Sequence, residues 1–94
     1  MSGRRKKTLK LNGRLDSAAA TQLRNDLIAR RGVDLNVDAE GVVSLGAMSA
    51  QVLLAAAQAW RQDGRSLAIG NASAPFSESL KLMGIAADLL AVKD

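Results

Sequence analysis

Asp34, Asp38 and Glu40 lie within seven residues of one another, close enough for two or three carboxylates to coordinate magnesium or divide the work of acid and base. Asp34 and Asp38 flank a predicted strand, however, while Glu40 already stands in the loop that follows. Nothing else titratable converges on them, so they are expected to cap and solvate a strand end. Ser44, Ser49, Ser73, Ser77 and Ser79 offer hydroxyl nucleophiles, but the chain has no histidine to act as their base. A lysine base would have to be buried, and Lys10 and Lys81 sit in amphipathic patterns that leave them in solvent. Gly41 and Gly46 lack both the spacing and the lysine of a phosphate-cradling loop. Cysteine is absent as well, which removes disulfides and thiolate metal sites along with the imidazole ones. The residues point away from an enzyme, and no cofactor and no metal site is expected.

The elements that carry these residues follow from periodicity. Thr8–Leu11 reads as a short strand with Leu9 and Leu11 on one side, Asn12-Gly13 as a turn, and Leu15 is expected to rejoin the sheet. Asp16 or Ser17 caps a first helix that runs to about Arg30, with Ala20, Leu23, Leu27 and Ile28 on its inner face. Val33–Val37, extending to Ala39, forms a second buried strand, followed by a short polar turn. A second helix spans about Ala47–Gln62 and stops at Asp63-Gly64. Ser66–Gly70 is a third strand. Ser73 or Ala74 caps a third helix with Pro75 in its first turn. Ala86–Val92 is expected to fold Leu89 or Leu90 back onto the body. Strands alternating with helices imply right-handed crossovers and a partly parallel sheet.

The second helix carries the stronger functional signal. A surface helix normally presents a charged outer face, yet no charged residue occurs from Ala47 through Trp60. Ala50, Leu53, Ala57 and Trp60, with Leu54 beside them, repeat at three and four and belong on the sheet. The other side then presents Met48, Ser49, Val52, Ala55, Ala56 and Ala59. Small apolar residues let another helix approach closely, and methionine adapts to varied contact shapes. Either a partner covers this side, or the third helix or the C-terminal segment does.

Residues 37–56 resemble the core motif of STAS domains, small sulfate-transporter and anti-sigma-factor-antagonist modules. Asp38 matches the aspartate that ends the family's hydrophobic strand, Gly41 its loop glycine, and Val52-Leu53-Leu54 its apolar helix. Gly13-Arg14-Leu15-Asp16 is similar to the Gly-x-Leu-Asp before the family's first helix, and Leu82-Met83-Gly84-Ile85 to the Leu-x-Gly-Leu that closes its third. The resemblance covers about Leu11–Leu90 and implies an α/β fold: a STAS-like mixed β-sheet with helices packed against it. A strand that usually precedes Gly-x-Leu-Asp has room here only in truncated form. The loop departs from the family. Gly46 stands where the loop aspartate belongs, and Met48 where the phosphorylatable serine belongs; a thioether accepts no phosphoryl group. Ser49 and Ser44 flank that position and leave off-register phosphorylation open.

Charge and size set the remaining bounds. At 94 residues, 48% of them hydrophobic, the chain suits a single core. Arg4, Arg5, Lys6 and Lys7 account for the net charge of +4, because nine basic residues elsewhere balance nine acidic ones. Residues 1–7 are therefore expected to be a flexible basic arm and 8–94 the STAS-like domain, with no basic face for nucleic acid. The arm has no apolar h-region. The uncharged run between Glu40 and Arg61 is interrupted by Ser44, Gly46, Ser49, Gln51 and Gln58, so it is expected to be a buried helix, not a membrane span.

Within the family, Leu45-Gly46-Ala47, Gln51–Leu54, Trp60 and Asp63-Gly64-Arg65 most resemble the small stand-alone STAS proteins of bacterial chemotaxis gene clusters. That resemblance implies a cytoplasmic, non-catalytic adaptor that binds the chemotaxis histidine kinase and alters phosphoryl flow to response regulators. Gly46, Ala47, Met48, Ser49, Val52 and Ala55 are the expected partner-binding residues. The alternatives are the STAS subunit of a lipid-transport ATPase and an anti-sigma-factor antagonist.

Overall fold

Leu9 and Leu11 are buried while Lys10 between them and Thr8 and Asn12 on either side are exposed, the alternation of a strand with one covered face. In the computed structural model, which describes residues 6–93, this strand is β1, Lys6–Leu15. The elements then follow as α1 (Ser17–Ile28), β2 (Asp34–Leu45), α2 (Ala47–Gln62), β3 (Leu67–Gly70), α3 (Ala74–Leu82) and a 3₁₀ turn, η1 (Ala87–Leu90). The sheet order is β1-β2-β3 with both pairs parallel, and Val92 adds an antiparallel bridge to Leu67. The α/β architecture implied by the family resemblance is the one observed.

Both crossovers step in the same direction across the sheet. Right-handed connections therefore place α1 and α2 on one face, where they pack on each other. Leu9, Leu11, Leu35, Val37 and Ala39 join Leu23, Leu27, Leu53, Ala57, Trp60, Phe76 and Leu90 in one buried cluster. Each large side chain so buried contributes roughly 1.5–3 kcal/mol of transfer free energy. On the other face of β1, Thr8 and Lys10 stand exposed.

Two strands are longer than their sequence implies. Asn12-Gly13 does not turn the chain; it lies inside β1, with Gly13 at φ +75°. From the pair Lys10–Asp38 to Asn12–Gly41, β1 advances two residues while β2 advances three, and a second slip follows between Gly13 and Arg14. Those bulges let β2 continue through the expected polar turn as far as Leu45, with Val42 and Leu45 buried. β3 pairs only with Leu35–Asp38. Beyond it α3 packs beside the rest of β2, where Ser73 N–H donates to the Ala39 carbonyl and Ser73 Oγ donates to the Val42 carbonyl at 2.7 Å.

The helix ends match their caps. Asp16 accepts from Ala19 N–H at 3.0 Å and Ser73 from Phe76 N–H at 3.1 Å. At the C-terminus it is Leu90 that is buried, and Leu89 that is exposed. Residues 1–5 of the expected basic arm lie outside the described residues, and Lys6 and Lys7 open β1.

Candidate functional site

α1 and α2 run parallel and are tied at both ends. At the start, the hydroxyl of Ser49 donates to the Asp16 carbonyl over a long 3.3 Å. At the finish, Arg31 forms a bidentate pair with Asp63, Nη2 to Oδ1 at 2.8 Å and Nε to Oδ2 at 3.0 Å. The hydrogen bonds from Arg31 hold the Asp63 carboxyl below the ordinary aspartate range, aided by the charges of Arg31 and Arg65 and opposed by partial desolvation. Asp63, in turn, raises the guanidinium of Arg31. Between these two ties lies a groove of about 660 Å³ lined by both helices.

The expected partner-binding residues divide. Ala47, Met48, Val52 and Ala55 all line the groove; Met48 is 60% exposed, Ala47 and Ala55 are exposed, and Val52 is half-buried. Ser49 is a correction. Its side chain is fully buried beneath the β1–α1 corner, so it offers neither a contact nor a phosphorylation site on the folded surface. Gly46 is half-buried and structural: its N–H donates to the Leu15 carbonyl at 2.8 Å. A Cβ there would stand 3.1 Å from that same oxygen, so a side chain at this position would require the Leu15 carbonyl to give by a few tenths of an ångström. Ala56, expected outward, is buried at the groove floor.

The element that partly covers this side of α2 is α1, not the third helix or the C-terminal segment. Leu27 packs into the core, whereas Ile28, expected to be buried beside it, is 51% exposed on the groove's other wall with Arg24. The contribution of α1 was hidden in the sequence because successive helical residues point about 100° apart. A period alone does not say which edge of an apolar arc meets solvent.

The carboxylates do not form a site. Asp34 is buried and accepts from Ser66 N–H at 2.9 Å, which fastens β2 to the start of β3. Asp38 accepts from Glu40 N–H at 3.0 Å across the first bulge, and Glu40 is exposed. Asp34 and Asp38 each hold backbone in place, and the Glu40 side chain is solvated. Among the described residues no group of three metal-ligating side chains occurs, and no helix is long and apolar enough to cross a membrane.

The model of a family described as "Mlab, STAS domain" matches residues 2–91. No curated protein matches the chain. With almost its whole length matched, the chain belongs to the STAS domain family, whose members are protein-interaction modules.

Proposed function

We propose that this STAS domain is a non-catalytic cytoplasmic adaptor that docks on a bacterial chemotaxis histidine kinase and modulates phosphoryl flow to, or dephosphorylation of, its response regulators. The observation that carries the reading is the surface of α2. Its outward side opens at Met48 and continues through Val52 and Ala55 without a charge, and intramolecular packing leaves it accessible. Exposed apolar surface of this kind on a small domain marks a contact. Binding would come from burying it, with Met48 adapting to the partner's shape.

The absence of a switch supports the same reading. Phosphorylation of a STAS loop adds about −1.5 to −2 charges and ends docking by repulsion and desolvation. Here Met48 occupies that position, and the adjacent Ser49 is buried. That leaves the exposed Ser44, before the loop, as the off-register hydroxyl still open to a kinase.

The test is a phosphotransfer assay with the chemotaxis histidine kinase and response regulators of the same organism, with and without the purified chain. A changed rate of phosphoryl transfer or regulator dephosphorylation is expected. An unchanged rate, together with association with the nucleotide-binding subunit of a lipid-transport ATPase, would move the assignment to that role. A stoichiometric phosphate adduct after incubation with a cognate serine kinase and ATP would instead favour an anti-sigma-factor antagonist.

A further inference from the structure

We infer that the groove between α1 and α2 is a seat for one amphipathic helix with an acidic flank, so that the partner contacts α1 as well as α2. This inference rests on the docking face proposed above and specifies the chemistry of what docks there.

The groove has the dimensions of a helix site. From Ala47 to Ala59 it follows α2 for thirteen residues, about 18 Å at 1.5 Å per step, or roughly three turns of an incoming helix. Its floor is apolar, with Val52, Ala55 and Ala59 along α2 and Leu27 along α1. Met48 and Ile28, each more than half exposed, line it as large apolar side chains. The small side chains of Ala55 and Ala59 allow close helix–helix approach along the C-terminal half of the groove, near the short end of the usual 8–10 Å interaxial range.

The charge on the groove selects the occupant. Its two charged lining residues among the described residues are Arg24 and Arg31, and no carboxylate of those residues lines it. Arg31 is already satisfied by Asp63. Arg24 is exposed and, among the described residues, makes no ion pair or side-chain hydrogen bond. The same groove begins at the first turn of α2, whose cap residue Gly46 supplies no side-chain acceptor and which contains no acidic residue. Its free N–H groups leave a partial positive charge there. An unpaired guanidinium and an uncapped helix start, flanking one apolar trough, complement a helix with apolar anchors on one face and carboxylates beside them.

Two synthetic helical peptides test this against the full chain by NMR titration. They share one leucine stripe and carry glutamate in one case and lysine in the other at the flanking positions. The glutamate peptide should shift the signals of Ile28, Met48, Val52, Ala55 and Ala59 and bind about tenfold more tightly than the lysine peptide. Arg24→Glu should reverse that preference while leaving the spectrum of the free protein folded. Equal binding of both peptides, no shifts from the glutamate peptide, or shifts confined to the α3–η1 surface around Leu82 would overturn the inference. Kinase affinity separates it from the functional proposal. If Arg24→Glu and Ile28→Asp leave kinase binding intact, the groove inference fails and the adaptor survives. If the glutamate peptide seats in the groove but the kinase does not bind, the adaptor fails and the groove stands.

Discussion

Ser49 Oγ and the backbone carbonyl of Asp16 are joined at 3.3 Å inside the protein, which fastens the first turn of α2 to the residue that caps α1. The Asp16 carbonyl also accepts from Ala20 N–H at 3.0 Å. Losing the hydroxyl therefore orphans nothing on Asp16, and Ser49→Ala should cost only about 0.5–1.5 kcal/mol. Ser49→Asp places an uncompensated charge in the same space and should cost roughly 3–5 kcal/mol. Urea denaturation of the two variants checks the contrast. Equal midpoints would mean that Ser49 reaches solvent, and with it that phosphorylation there is open.

Trp60 is fully buried and donates its indole N–H to the Val33 carbonyl at 2.8 Å, a bond that holds the end of α2 against the entry to β2. Trp60→Phe keeps most of the ring volume but leaves that carbonyl without the indole. A loss of about 1–3 kcal/mol is expected, read by circular dichroism because the substitution removes the chain's single tryptophan.

Leu89 and Leu90 are neighbours with opposite surroundings, the first 52% exposed and the second fully buried. Leu90→Ala should destabilise by about 2–5 kcal/mol through the cavity it leaves, whereas Leu89→Ala should stay within about 0.5 kcal/mol. Thermal melts of the pair test whether η1 is part of the core.

The Arg31–Asp63 pair predicts a pH dependence with a definite sign. The Asp63 carboxyl is depressed in the folded state by the hydrogen bonds from Arg31. Its contribution is therefore complete above the unfolded aspartate value of about 3.9 and is lost as pH falls further, through the lowered folded value. Wild type and Asp63→Asn should differ in stability at neutral pH and converge in acid, and added salt should narrow the gap because the pair is exposed. A difference independent of both pH and salt would contradict this account.

Much of this was legible in local pattern. The end of α2 follows from the Asp63-Gly64 stop, and Pro75 narrows the third helix's cap to Ser73 or Ala74, of which the structure uses Ser73. Ala50, Leu53, Ala57 and Trp60 face the core as their spacing requires. What escaped is non-local. The tail of β2 reads as a loop because its two slips against β1 break the alternation from Glu40 to Ser44. Ser49 looks outward on a helical wheel, yet it lies under the β1–α1 corner, which no wheel contains. The groove needs a wall from α1, and Ile28 becomes that wall only once α1 lies parallel to α2.

Titration calorimetry of the wild type and Met48→Asp against the chemotaxis histidine kinase of the same organism tests the central claim most directly. The wild type should bind. Met48→Asp should lose at least about tenfold in affinity with an unchanged circular dichroism spectrum, because its carboxylate would have to be desolvated at the contact. Equal affinities, or no binding by the wild type, would contradict an adaptor that docks through the outward face of α2.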